Sequence, residues 1–364
     1  MIKTEQYVLN MGPSHPSTHG VLQVILELDG ERIVKATPKI GYLHRGIEKL
    51  LESRTYTQAI PYTDRLDYVA GMNNEYAYCQ TVEKLAGIEV PRRAQYLRVI
   101  VAELSRIASH LVFAGTLATD LGSATGLIYA FRDREKVLDL FSIISGARMT
   151  YNYMRIGGVK ADAQPEFIRK TYEFLAMVPD FLKEYHDFLS GNEIFQHRLQ
   201  GVSVLSTEEA LNLGMTGPNL RATGMPYDLR KIDGGIYDEF DFDVPVGKNG
   251  DNYDRWMVRI NEIAESAKIV RQALDGLPEG PYMAKVPKIL RPPKGEAYHR
   301  TENPRGVLGF YIVSDGSTKP YRVHIRRPSL ANLQGLDAMC RNMLLADSVA
   351  VYSAIDPLMG EVDC

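Results

Sequence analysis

Few side chains in this 364-residue chain are suited to moving protons, and two of its eight histidines share one short loop. The segment "GPSHPSTHG", Gly12 to Gly20, places His15 and His19 at i and i+4. On a helix that spacing would put both imidazoles on one face, where they could hold a metal. The prolines argue against a helix. Pro13 and Pro16 lack an N–H, and Pro16 biases His15 toward extended backbone. Gly12 and Gly20 read as turn punctuation, so the histidines sit on an ordered loop. They either satisfy local backbone groups or present an imidazole to something else. Asp120, at a helix end before Gly122, is a candidate carboxylate partner, and its plain alternative is a solvated turn residue. Tyr68 in "RLDY" is a candidate phenolic proton donor, although in a chain with 21 tyrosines it could equally be core. Arg45 in "GYLHRGIEK" and Arg65 could supply positive potential to a buried redox site, or pair at the surface with Glu48 or Asp67. His110 reads as a packed helix residue. Spacing alone leaves these alternatives open.

The surrounding composition is that of a globular protein, with 45% hydrophobic and 24% charged residues. A net charge of −3 gives no reason to expect nucleic acid. The three cysteines, Cys79, Cys340 and Cys364, form no C-x-x-C pair, which argues against a disulfide framework and a local zinc or iron–sulfur site. The first ten residues show no signal-peptide pattern. The most apolar stretch, "VIVAELSRIASHLVFAGTLA", is interrupted by Glu103, Arg106 and His110, so a membrane span is not expected. Walker, dinucleotide, nucleophile-elbow and H-E-x-x-H signatures are absent.

The elements that must carry the candidates follow from periodicity. Tyr7 to Met11 and the alternating run Val21 to Leu28 read as strands, with Leu22, Val24, Leu26 and Leu28 on one face. Asp29-Gly30 is a hairpin turn into Glu31 to Ala36. Tyr62 to Leu85 reads as a helix with a break near Gly71. A long helix opens at Pro91 and ends near Asp120, with Glu103, Arg106 and His110 opposite its apolar face. Further helices are expected over Arg132 to Arg148, Gln164 to Leu189, Tyr253 to Leu274 and Leu330 to Leu345, with a capping box at Ser206-x-x-Glu209. Gly214 to Gly250 reads as ordered loop. Val307 to Val313 and Tyr321 to Ile325 form a second hairpin, turning at Asp315-Gly316. The expectation is one integrated α+β unit over 1–364: an N-terminal hairpin region (1–40), a mainly helical core (60–275) and a C-terminal hairpin and helix (300–364).

The motifs "GPSHPSTHGVL", "GYLHRGIEKL", "YTDRLDYVAGMNNEYAY", "ELSRIASHL", "FRDREKVLDLF", "GARMTYNYMRIGG" and "DPLMGEV" occur in an order that resembles the 49-kDa-type (D) subunit family of respiratory complex I, the NADH–quinone oxidoreductases. The resemblance runs from Tyr7 to the end of the chain. That family is related to the large subunit of nickel–iron hydrogenases, so a hydrogenase-like α+β fold is implied: a central helical bundle with small antiparallel sheets. The hydrogenase cysteines are missing here. "RLDYVAG" stands in the first region, and Leu358 and Glu361 stand where thiolates would be needed in "DPLMGEVDC". The resemblance therefore implies no metal in this chain and a cavity for a quinone head group.

Residue by residue, it places the quinone-binding histidine on His19, the quinone-binding tyrosine on Tyr68 and the histidine's carboxylate partner on Asp120. It implies that His15 supports the loop, and that Arg45 and Arg65 lie near a [4Fe-4S] cluster held by a neighbouring subunit. The implied activity is a proton-translocating NADH:quinone oxidoreductase, exerted only within the complex. The implied neighbours are the small cluster-carrying B subunit, the C subunit and the membrane-embedded H subunit, with FMN and NADH bound elsewhere. The implied location is peripheral, on the cytoplasmic side of a prokaryotic cell membrane. Two positions depart from the family. Thr150 follows "GARM" where many ubiquinone-using members have histidine, which points to a lower-potential cluster and to menaquinone. Cys364 stands where arginine is common. Competing readings are a non-catalytic scaffold, the equivalent component of a ferredoxin- or deazaflavin-fed complex, and a metal hydrolase using His15 and His19.

Overall fold

A computed structural model describes residues 6–15 and 20–364. Strands β1 (Gln6–Met11), β2 (Gln23–Asp29) and β3 (Arg32–Lys39) form an antiparallel sheet in the order β1-β2-β3. The expected alternation holds: Leu22, Val24, Leu26 and Leu28 are buried, and Gly30 takes φ +59° in the turn. Gly12 cannot be replaced, because at φ +86° a Cβ would meet the Leu22 carbonyl oxygen at 2.2 Å.

Helices α1 (Ile47–Ser53) and α2 (Tyr56–Thr63) lead to α3 (Gly71–Ala86) and the long α4 (Arg92–Asp120). The chain continues through α5 (Ala124–Ser145), the short pair β4 (Met154–Arg155) and β5 (Gly158–Val159), and α6 (Pro165–Tyr185), which ends in a π turn over His186–Ser190. Short helices α7 (Glu193–Leu199), α8 (Thr207–Asn212), α9 (Pro218–Arg221) and α10 (Leu229–Ile232) precede α11 (Asn252–Asp275). Strands β6 (Gly295–Asn303), β7 (Gly306–Ser314) and β8 (Arg322–Arg326) make a second antiparallel sheet, followed by α12 (Pro328–Leu333), α13 (Leu336–Cys340), α14 (Leu345–Ile355) and α15 (Met359–Val362). The α+β architecture is as expected. Among the described residues no helix is long and apolar enough to cross a membrane.

Helix α4 is the axis, packed by α5, α11, α3 and α14. Glu103, Arg106 and His110, on the side opposite its apolar positions, are all fully buried. They belong to an ionic network. Arg230 reaches Glu103 at 3.0 Å and Asp228 at 2.7 Å, Arg221 reaches Glu262 at 2.7 Å and Glu302 at 2.6 Å, and His110 Nε2 meets Glu262 at 2.8 Å. A polar stripe on a helix looks solvated in sequence, but it can be satisfied by polar stripes from other elements. His110 is thus a hydrogen-bonded core residue, as expected.

Other boundaries move. The Tyr62–Leu85 segment breaks over residues 64–70, next to the break expected near Gly71, and its first helix begins earlier, at Tyr56. The expected Arg132–Arg148 helix begins eight residues earlier, at Ala124. The second hairpin gains a third strand, β6. The expected Leu330–Leu345 helix is broken into α12 and α13, with α14 beginning where it was to end; Gly335 and the positive φ of Asn342 (+65°) mark the interruptions.

Candidate functional site

The break at 64–70 is caused by a carboxylate. Asp67 Oδ1 accepts the N–H groups of Val69 (3.1 Å) and Ala70 (3.2 Å), offering the backbone an alternative to continuing the helix. Asp67 is fully buried, and its Oδ2 accepts from Arg305 at 2.6 Å. Arg305 sits in the two-residue turn between β6 and β7. Its Nη1 also donates to Ser109 Oγ on α4 (3.0 Å), its Nη2 to Asp356 Oδ1 (3.0 Å) and its Nε to the Asp356 carbonyl (3.0 Å). One guanidinium therefore ties together the α2–α3 turn, α4, and the end of α14.

Directly beside this hub lies a cavity of about 310 Å³, lined by Tyr68, Val112, Thr116, Asp120, Arg305, Asp356 and Leu358 among others. It falls in the size range of small-molecule sites, with an apolar wall and few convergent polar groups. Tyr68 is 38% exposed toward it. The ring is held from behind by Gly360, where a Cβ would come within 3.2 Å of the ring and 2.7 Å of the Leu66 carbonyl oxygen. Burial raises the Tyr68 phenol above its ordinary pKa, against the pull of Arg305, so it stays protonated at neutral pH.

The expected site residues are placed as follows. Tyr68 and Asp120 come together on the cavity wall. His19 lies outside the described residues; His15 is exposed in the same loop. Arg45 is partly buried below the cavity. It donates from Nη2 to the Gly360 carbonyl, and its charge is felt by Tyr68. Arg65 is exposed, bonded to the Pro61 carbonyl and close to Asp64. Neither arginine makes the weighed surface pairs. Glu48 pairs with Arg322 and His324, and Asp67 with Arg305. Thr150, at φ +54°, is on a loop pinned by buried carboxylates: Asp64 Oδ2 accepts Asn152 N (3.1 Å), and Glu75 Oε2 accepts Tyr153 N (3.0 Å) and Met154 N (2.6 Å). Leu358 lines the cavity and Glu361 is buried behind it.

Sequence reasoning missed Arg305, Asp356, Glu361 and Gly360 as parts of the site. Three of them lie in or beside the quoted "DPLMGEV" motif. Arg305 carried no local signal, because its partners are distant in the chain. A larger hollow, about 770 Å³ between α5 and α6, is lined by charges that pair with one another, such as Arg132 with Glu184 and Lys183 with Asp187. Its phenol, Tyr129, packs against Phe188 and under Arg132 among these surface charges.

Comparison with known proteins agrees with this architecture. Residues 120–293 and 288–364 match the family described as respiratory-chain NADH dehydrogenase, 49 Kd subunit. The chain is 56% identical over 363 residues to the D subunit of the NADH-quinone oxidoreductase of Desulforamulus reducens, covering 100% of this chain and 99% of that one. The chain belongs to the 49-kDa subunit family. The D subunits of the NADH-quinone oxidoreductases of Clostridium beijerinckii (56% identical; 100% of this chain, 98% of that one) and Bacillus cytotoxicus (52%; 100% of each) are similarly close. The segments matched to the family contribute Asp120, Arg305, Asp356 and Leu358 to the cavity wall, and Tyr68 precedes them in the chain.

Proposed function

We propose that this subunit forms the quinone head-group site of a proton-translocating NADH–quinone oxidoreductase, and that Tyr68 and His19 bind and protonate the quinone. The observation that carries the reading is a phenol kept protonated at the mouth of an apolar-walled cavity beside a buried guanidinium. Two electrons added to a quinone create a strongly basic dianion unless protons arrive with them. Tyr68 would donate to one quinone oxygen and His19 to the other. Arg305 would stabilise negative charge as it develops. Asp120, on the same wall, would orient His19 and favour its imidazolium form.

The electrons would come from a [4Fe-4S] cluster in the small B subunit, with Arg45 and Arg65 adding positive potential on that side. FMN and NADH would be bound by other subunits. The C and H subunits would complete the neighbourhood. The lack of any spanning helix among the described residues fits a peripheral subunit on the cytoplasmic side of the cell membrane. Thr150 in place of histidine favours menaquinone as the substrate.

The deciding experiment is Tyr68→Phe in the assembled complex. Only the hydroxyl is lost, so assembly and reduction of the partner's cluster should persist while quinone turnover falls by about 10²-fold or more. Wild-type turnover in that variant would refute the role of Tyr68.

A further inference from the structure

The cavity wall carries more acid than base. Three buried carboxyl groups, Asp67, Asp356 and Glu361, lie around the guanidinium of Arg305, and the buried Arg259 on α11 also acts on Asp356 and Arg305. Asp67 and Asp356 bond Arg305 directly, and Glu361 lies close enough to feel both Arg305 and Asp67. Fully ionised, the three carboxylates would outnumber Arg305 and Arg259 by one negative charge held away from water, which is unfavourable. Two of their oxygens, Asp356 Oδ2 and Glu361 Oε1, are buried with no hydrogen-bond donor among the described residues. A proton on one of these groups relieves the excess charge and supplies a missing donor.

Glu361 is faced from each neighbouring element. The Ser329 N–H at the start of α12 donates to Oε2 at 2.9 Å; Asp67 comes from the α2–α3 turn and Arg305 from the β6–β7 turn. The Cys364 thiol, its pKa pushed up to about 11 mainly by burial, adds no charge at neutral pH. Arg327 is engaged with the Val362 and Cys364 carbonyls.

We propose that Glu361 and Asp67 hold one proton in common beside Arg305, and that this store restores Tyr68, the residue after Asp67, once the phenol has protonated the quinone. The inference rests on the quinone reading above. The quinone takes two electrons from the NADH-fed carriers of the complex. The Tyr68 O–H bond breaks as a quinone O–H bond forms, His19 supplies the second proton, and the phenolate recovers its proton from the cluster. The cluster is then fully ionised against Arg305 until it takes a proton from water. Glu361 and Asp67 are positioning residues that store the proton, and Asp356, bonded to Arg305, lines the cavity beside them. Burial, with Asp67 adding to it, raises Glu361 to about 7, which makes it the resting place of the proton.

The test uses the assembled complex with Glu361→Gln, which keeps an acceptor for Ser329 N–H but cannot ionise. Wild-type kcat should fall as pH rises through about 7, because the store empties. In Glu361→Gln that limb should vanish and kcat should drop between about ten-fold and a hundred-fold, with KM little changed. The infrared band of a protonated carboxyl that titrates near neutral pH should be lost. Glu361→Asp should recover much of the turnover with the limb displaced, a rescue that a purely structural role would not produce. A persisting band with an unchanged pH profile in Glu361→Gln overturns the proposal. If Glu361→Gln fails to assemble, an unmoved limb in Glu361→Asp overturns it instead. Undiminished turnover in Tyr68→Phe sinks the quinone reading and the hand-over together. A crippled Tyr68→Phe beside an unaltered Glu361→Gln sinks the store alone.

Discussion

At Gly360 the missing side chain sets where Tyr68 stands. Gly360→Ala would place a methyl 2.7 Å from the Leu66 carbonyl oxygen and 3.2 Å from the Tyr68 ring, so one of them must move. Overpacking of this kind costs about 1–3 kcal/mol. On the quinone reading, we expect the complex to assemble with quinone KM raised and kcat lowered, measurable by steady-state kinetics; unchanged constants would show that the ring is not positioned from behind. Thr150 offers a second residue-scale test. It is β-branched at φ +54°, a backbone region that histidine enters more readily. On the quinone reading, Thr150→His should make the partner cluster's potential fall as pH rises between the two imidazole pKa values, since the reduced cluster favours the cation. Wild type should be nearly flat in a redox titration followed by electron paramagnetic resonance, and a steep wild-type slope would contradict this. Tyr68 and Asp120 were legible as a pair only through the family resemblance; spacing left each with an ordinary alternative. Arg305 was not legible at all. Its role depends on Asp67, Ser109 and Asp356, which are scattered along the chain and meet only after folding.

At the scale of elements, helices with one apolar face and clear caps were readable. α11 starts at Asp251, whose Oδ1 accepts Asp254 N at 2.8 Å, and the capping box at Ser206 forms as its spacing implies. Asp251→Ala should cost about 1 kcal/mol, and more because Oδ2 also accepts Gly201 N. A thermal melt of the purified complex would read it. Sequence periodicity fails where polar groups are buried. The Asp67 turn, the Glu83–Arg98 bridge and the α4 network all put charges where a helical wheel predicts water. Arg98 donates to Glu83 at 2.5 and 2.9 Å and to the Gly158 carbonyl, clamping α3 and α4 to the β4–β5 turn. Glu83→Gln leaves a buried cation short of its counter-charge and should destabilise by about 3–5 kcal/mol, seen as lost assembly or a lower melting temperature. A change under about 1 kcal/mol would mean the clamp is dispensable.

Across the whole molecule, Asp228 and Glu262 in the α4 network respond to pH in the opposite direction to Glu361. In the α4 network burial would raise Asp228, but Arg230 and Arg221 hold it down to about 2, and Glu262 is likewise held below its usual range by Arg221 and His110. Carboxylates depressed in the folded state contribute stability above their unfolded values of about 4, and that stability is lost as pH falls toward the folded value. Hydrogen-exchange protection of α10 and α11 in the purified complex should therefore drop as pH falls below about 4. Glu361 is raised, so its contribution is fully present below about 4 and is lost as pH rises through about 7. Protection of α15 should weaken over that interval in wild type and stay level in Glu361→Gln. Loss of α15 protection on the acid side instead would reverse the assignment.

The contact between Gly360 and the Tyr68 ring also limits how this lineage can change its diet. On the quinone reading, a mutation that adds bulk behind the ring disturbs the proton donor itself, and the carboxyl side of the wall is committed to balancing Arg305. Val112, Thr116 and Leu127, on the α4–α5 side, remain free to be exchanged without touching either. Adaptation to a different head group or tail, and resistance to a toxin that occupies the cavity, should accordingly accumulate on that side and spare position 360.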